Sequence, residues 1–106
     1  GTVGDGAAAE FMGFLRVWRE LPSVEDILAN PADALVPDDP AALYAVCEAL
    51  SEKAADGTVN ALVTYAGRLP SEFSVLLMRD AVCRDERIVR TSAFADWAQA
   101  NAHVLM

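Results

Sequence analysis

Residues 69–83, Leu-Pro-Ser-Glu-Phe-Ser-Val-Leu-Leu-Met-Arg-Asp-Ala-Val-Cys, constrain the fold more than any other stretch of the chain. Pro70 followed by Ser71 and Glu72 is a helix start, and no glycine or proline interrupts what comes after. At the helical angle Phe73, Val75, Leu76, Leu77, Met78, Ala81, Val82 and Cys83 point in nearly every direction, interrupted by Ser74, Arg79 and Asp80. A helix apolar almost all round must be covered by neighbours. The remainder of the chain is therefore read as that cover.

The cover has to come from one small domain, because 106 residues allow a single modest core. A content of 54% hydrophobic and 23% charged residues argues against disorder. Before the central helix, Phe11, Phe14, Leu15, Val17 and Trp18 place a wide apolar stripe on a helix spanning about residues 7–20, capped by Asp5 or Gly6 and stopped by Pro22. Ser23-Val24-Glu25-Asp26 has capping-box spacing and opens a short helix over residues 24–29, which Asn30-Pro31 breaks. Residues 31–40 form a proline-rich connector, and Asp39-Pro40 is an N-cap with proline at the first helical position.

In the next helix Leu43, Val46, Cys47, Leu50 and Ala54 make one face, with Asp56-Gly57 expected as a left-handed C-terminal cap. Thr58 then caps a helix whose face is Leu62, Tyr65, Ala66 and Leu69, widened by Val59 and Val63. Short loops imply antiparallel neighbours through residue 83. Thr91 caps a last helix in which Phe94, Trp97, Ala98 and Asn101 share a side. The expectation is an all-α fold, a small bundle of about five to six helices with antiparallel hairpins. Residues 1–22 form an N-terminal amphipathic helix, 23–40 a short helix and connector, and 41–106 the bundle proper, together one compact domain excerpted from a longer chain. Gly1-Thr2-Val3-Gly4-Asp5-Gly6 carry no basic or apolar region of a secretory signal, and no apolar run is long enough for a membrane span.

The residues that could carry chemistry are few. His103 is the single histidine, which excludes a multi-histidine metal site, and Cys47 and Cys83 lack C-x-x-C spacing and are expected as free thiols. The paired acids Asp38-Asp39 and Asp85-Glu86 stand at helix starts, where capping and the helix dipole account for them. Gly1, Gly4 and Gly6 precede a helix but lack the lysine and hydroxyl of a P-loop. No catalytic, cofactor-binding or metal residue is assigned. Arg79, Arg84, Arg87 and Arg90 cluster, interleaved with Asp80, Asp85 and Glu86. Asp80 lies at the core edge or is held by Arg84 one turn on, a candidate structural ion pair. A net charge of -8 disfavours nucleic acid and anionic lipid, leaving protein surfaces in a cytoplasmic setting as the expected partners.

Gly4-Asp5-Gly6-Ala7-Ala8-Ala9-Glu10-Phe11, Leu21-Pro22-Ser23-Val24-Glu25-Asp26-Ile27-Leu28-Ala29-Asn30-Pro31 and Arg68-Leu69-Pro70-Ser71-Glu72-Phe73 resemble the C-terminal portion of a MoxR-like AAA+ ATPase. The resemblance covers most of the chain and touches structural segments, not catalytic signatures. It implies a helical lid and C-terminal region that follows a nucleotide-binding core, ATP and Mg²⁺ belonging to that parent core. Where family lids commonly offer an arginine at a helix start this chain has Ala7-Ala8-Ala9-Glu10, so no nucleotide contact is carried over. The function expected is thus non-catalytic: protein contacts within a chaperone-like assembly, or, alternatively, a freestanding helical interaction or regulatory domain. Phe11, Phe14, Leu15, Val17 and Trp18 are the candidate interaction surface, either folded back on the bundle or covering a second copy as a homodimer.

Overall fold

The computed structural model is described over residues 21–105. Its elements are six α-helices and one 3₁₀ turn: α1 (Val24–Ala29), α2 (Pro40–Ser51), α3 (Val59–Ala66), α4 (Ser71–Arg84), the 3₁₀ turn (Glu86–Arg90), α5 (Ser92–Ala100) and α6 (Ala102–Leu105). The fold is all-α, and no strand occurs among the described residues. The helical stripe at residues 7–20, with Phe11, Phe14, Leu15, Val17 and Trp18, lies outside the described residues.

Local chemistry starts three of these helices. The Ser23 hydroxyl accepts from the Asp26 N–H at 3.0 Å, the Asp39 carboxylate from the Ala42 N–H at 3.0 Å, and the Thr91 hydroxyl from the Phe94 N–H at 3.2 Å. Each satisfies a backbone donor that the first turn leaves without a partner. Thr58 precedes α3 but does not cap it. Its hydroxyl instead accepts from the Ala55 N–H and donates toward the carbonyls of Lys53 and Ala55, closing the loop between α2 and α3.

That loop is longer than the expected turn at Gly57. α2 stops at Ser51, whose hydroxyl donates to the Glu48 carbonyl at 2.8 Å, and the chain leaves through tight turns in which Lys53 and Ala54 donate to Leu50 and Ser51. No glycine among the described residues has positive φ, so Asp56-Gly57 is not a left-handed cap.

α4 is the hub, but its buried face is narrower than its composition. Ser74, Leu77, Met78 and Ala81 are buried at the i, i+3, i+4, i+7 positions of one stripe, flanked by half-buried Phe73, Val75, Leu76 and Val82. Cys83 is exposed, contrary to its reading as part of an all-round apolar surface. α2 packs most extensively on α4, and α3 packs on both α4 and α5. The consecutive helices α2 and α3 share little contact and lean on α4 instead. Two shared neighbours bury more apolar surface than one thin hairpin.

The core runs from Ile27 on α1 through Leu43, Val46, Cys47 and Leu50 on α2, Leu62 and Tyr65 on α3, and Leu77 and Met78 on α4, to Ile88 and Trp97. Ile27 places the short α1 inside the same core as the later helices. The connector between α1 and α2 is pinned to α3. The Tyr65 hydroxyl donates to the Leu35 carbonyl at 2.6 Å, and one Arg68 nitrogen donates to the carbonyls of Pro31 and Ala34 at 2.8 and 2.7 Å. The Arg68 guanidinium also sits 5.8 Å from the Tyr65 ring centre, within cation–π range.

Candidate functional site

Among the described residues a strongly apolar concavity lies between α4 and α5. Val75, Met78 and Val82 supply one wall at i, i+3 and i+7, Phe94 and Trp97 the other, and Leu105 of α6 closes one end, around a volume of about 240 Å³. The walls hold this shape because the two aromatic rings brace one another, with centroids 5.5 Å apart and planes tilted by 39°. Trp97 is fixed further by its indole N–H, which donates to the buried Ser74 hydroxyl at 2.8 Å. Leu105 is about half exposed, and its sequence neighbour Val104 is exposed too, so large apolar side chains reach solvent on α6.

One charged side chain lines the groove, Arg79, with the exposed Cys83 thiol beside it. An adjoining, wider hollow continues from Val82 and Cys83 to Arg84, Asp85, Glu86 and Arg87. Here Arg87 grips Asp85 through Nε and a terminal nitrogen at 2.9 and 2.8 Å, while its backbone N–H donates to the same carboxylate. Those Arg87 hydrogen bonds hold the Asp85 carboxyl down to about 2. Asp85 thereby caps the 3₁₀ turn that brings Ile88 into the core.

The expected pair of Asp80 with Arg84 is not formed. Among the described residues the ion pair is the one between Arg87 and Asp85. Asp80 is half-buried and faces the α2 side, where its charge adds to burial in pushing the Cys47 thiol up to about 11. Arg84 is exposed at the end of α4, where its charge suits the helix C-terminus and a pair with Asp80 would add little against lost side-chain freedom. Both line a cleft with Glu48, Ser51, Glu52 and Cys83 without closing it.

The other sequence-level candidates fall apart in space. Asp39 is spent on capping α2, Asp38 is exposed, and His103 is exposed on α6. Cys47 is buried and Cys83 exposed, both free thiols. Among the described residues no group of three or more His, Cys, Asp or Glu side chains could hold a metal ion. No helix among them is long and apolar enough to cross a membrane. Sequence reading did not single out the groove. Its signal was present in α4, where apolar residues outnumber the positions that neighbouring helices bury.

Compared with protein-family models, curated proteins and solved structures, the chain matches none.

Proposed function

We propose that this chain is a helical protein-interaction domain that seats an amphipathic helix of a partner protein in the α4–α5 groove. The observation that supports it most is the groove lining: apolar walls from two helices with a single charged side chain, Arg79. Its volume is below the roughly 300–1,000 Å³ of pockets for drug-sized ligands. It suits one or two large side chains inserted from a helix. Val75, Met78 and Val82 span two turns of α4, about 10 Å, which matches partner anchors at i, i+3 or i+4, and i+7. Arg79 favours a partner whose anchors stand beside an acidic residue.

Within this reading, a lid and C-terminal region of a MoxR-like AAA+ ATPase is the narrower form, supported by the three sequence segments that resemble that family. ATP and Mg²⁺ would then belong to the parent core, and the partner helix to the assembly. A freestanding interaction domain is the alternative form. A P-loop and its strands encoded upstream of Gly1 would favour the first, and an unrelated upstream sequence the second.

The groove is tested with two labelled helical peptides that share leucines at the anchor positions and differ in bearing glutamates or lysines beside them. The glutamate peptide is expected to bind more tightly, to lose binding to Val82→Glu, and to lose its advantage over the lysine peptide with Arg79→Glu. Equal binding of both peptides to the parent chain and to Val82→Glu would refute the reading.

A further inference from the structure

α6 is a single turn of four residues with no buried side chain, yet its Leu105 lines the α4–α5 groove. We propose that α6 is a flap over that groove: Leu105 takes the place of a terminal anchor of the partner helix, and the partner displaces it on binding. The inference rests on the groove reading and adds to it a resting state in which the chain caps its own site.

Three observations carry it. The first is where Leu105 stands: it closes one end of the concavity walled by Val75, Met78, Val82, Phe94 and Trp97, so a leucine of this chain already sits among the side chains that a partner's leucine would touch. At 47% exposure it has given up only about half of its hydration, whereas Leu77 in the core has given up all of it, so the Leu105 contact is released at far smaller cost. The second is that α6 hangs from one pivot. The Asn101 backbone N–H donates to the carbonyls of Trp97 and Ala98 at 3.0 and 3.2 Å, and its side-chain amide donates to the Trp97 carbonyl at 2.8 Å, which ties the pivot to the residue that forms the groove wall. Beyond the pivot, the Val104 and Leu105 N–H groups both donate back to the Asn101 carbonyl, at 2.9 and 3.1 Å. A helix this short does not hold itself in water, so its docked position depends on the seat of Leu105. Asn101 leaves the helical region at φ -109°, ψ 15°, and rotation at this one joint swings the turn away. The third is the chemistry of the competition. Ala102, His103, Val104 and Leu105 bring an apolar anchor and no carboxylate, while the charged side chain of the groove is Arg79. A partner that pairs its anchors with an acidic residue satisfies both and prevails over the flap, and an apolar helix without the acid is held back by it.

The experiment uses the full chain and the labelled peptide that carries leucines beside glutamates. Leu105→Ser is expected to tighten its binding roughly 3- to 10-fold, the gain when an open form populated at about 10–30% becomes the whole population. Val104→Ser makes a similar polar change on the same turn, at a side chain outside the groove lining, and should leave binding unchanged. Methyl NMR gives a second measurement that does not depend on affinity. The Leu105 methyl resonances, assigned by their loss in Leu105→Ser, should be displaced from random-coil positions by the Phe94 and Trp97 rings in the free chain and move toward those positions as peptide is added. Weaker binding by Leu105→Ser would make Leu105 a wall of the seat and overturn the flap. So would Leu105 methyls at random-coil positions in the free chain, or methyls that stay in place at peptide saturation. Binding that Val82→Glu abolishes but Leu105→Ser leaves unchanged would refute the flap alone, whereas binding absent from every variant, or indifferent to Val82→Glu, would refute the groove and the flap with it.

Discussion

Removing the Ser74 hydroxyl tests whether the Trp97–Ser74 hydrogen bond is a structural clamp between α4 and α5. Both residues are almost wholly buried, at 2% and 5% exposure, and the bond is 2.8 Å long. Ser74→Ala leaves the indole N–H facing apolar surroundings, a loss of about 1–3 kcal/mol for a buried donor without an acceptor. Alanine's better helix propensity returns about half a kcal/mol within α4. The net expectation is a destabilisation of about 1–2 kcal/mol, which for a domain of this size lowers the melting temperature by roughly 5–15 °C. Urea unfolding followed by circular dichroism on the parent, Ser74→Ala, Trp97→Phe and the double variant completes a cycle. The double variant should be more stable than the sum of the single losses by about 1 kcal/mol, since removing both partners leaves no orphaned donor. A Ser74→Ala loss below about 0.5 kcal/mol with additive singles would refute the clamp, and with it the account of how the groove wall is held.

Leu77→Ala, at a position with no exposure, should cost about 2–5 kcal/mol and Leu76→Ala clearly less, because Leu76 is half-buried; equal unfolding midpoints would contradict the single-stripe packing of α4. Burial, and then the Asp80 charge, raises Cys47 from 9.0 to about 11, and burial raises Tyr65 from 10.0 to about 12 against the opposing charge of Arg68. The folded state therefore holds protons that the unfolded chain releases, so the stability these groups contribute is intact below about pH 9 and is lost as pH rises toward 11–12; an unfolding midpoint constant from pH 8.5 to 11 would refute this. In a native thiol titration near pH 8 the exposed Cys83 should react at once and Cys47 only on unfolding, two thiols in two phases; a single fast phase would place Cys47 at the surface. Arg68→Ala should leave the helices intact but speed proteolysis within residues 31–37, because two carbonyls of the connector lose their donor; unchanged cleavage would show that Tyr65 alone holds it.

Much of the helix architecture was legible because its signals are local. Ser23, Asp39 and Thr91 each bond a backbone N–H three residues on, a contact that sequence spacing encodes directly. The faces of α2 and α3 followed from helical period alone: Leu43, Val46, Cys47 and Leu50 are buried as read, and so are Leu62, Tyr65 and Ala66. The end of α2 was misread because Asp56-Gly57 is a strong turn signal placed inside a loop that Thr58 had already closed by side-chain hydrogen bonds. The Asp80–Arg84 pair failed for a different reason. Its i, i+4 spacing permits contact, but the half-buried Asp80 faces Cys47 across to α2, and Arg84 stands in solvent at the helix end.

The groove and the clamp were hidden because both depend on which helices meet. Ser74 reads locally as an interruption in an apolar run, and only the approach of α5 gives it an indole to accept from. The same approach explains why α4 is richer in apolar residues than its buried stripe requires. Ser74, Leu77, Met78 and Ala81 satisfy α2, α3 and α5, while Val75 and Val82 lie to one side with half of their surface role unaccounted for. Had every apolar direction of α4 been covered by helices of this bundle, Val75 and Val82 would be buried as Leu77 is. They instead line a concavity with Phe94 and Leu105, and this apolar excess of α4 is what the proposed seat for a partner helix rests on.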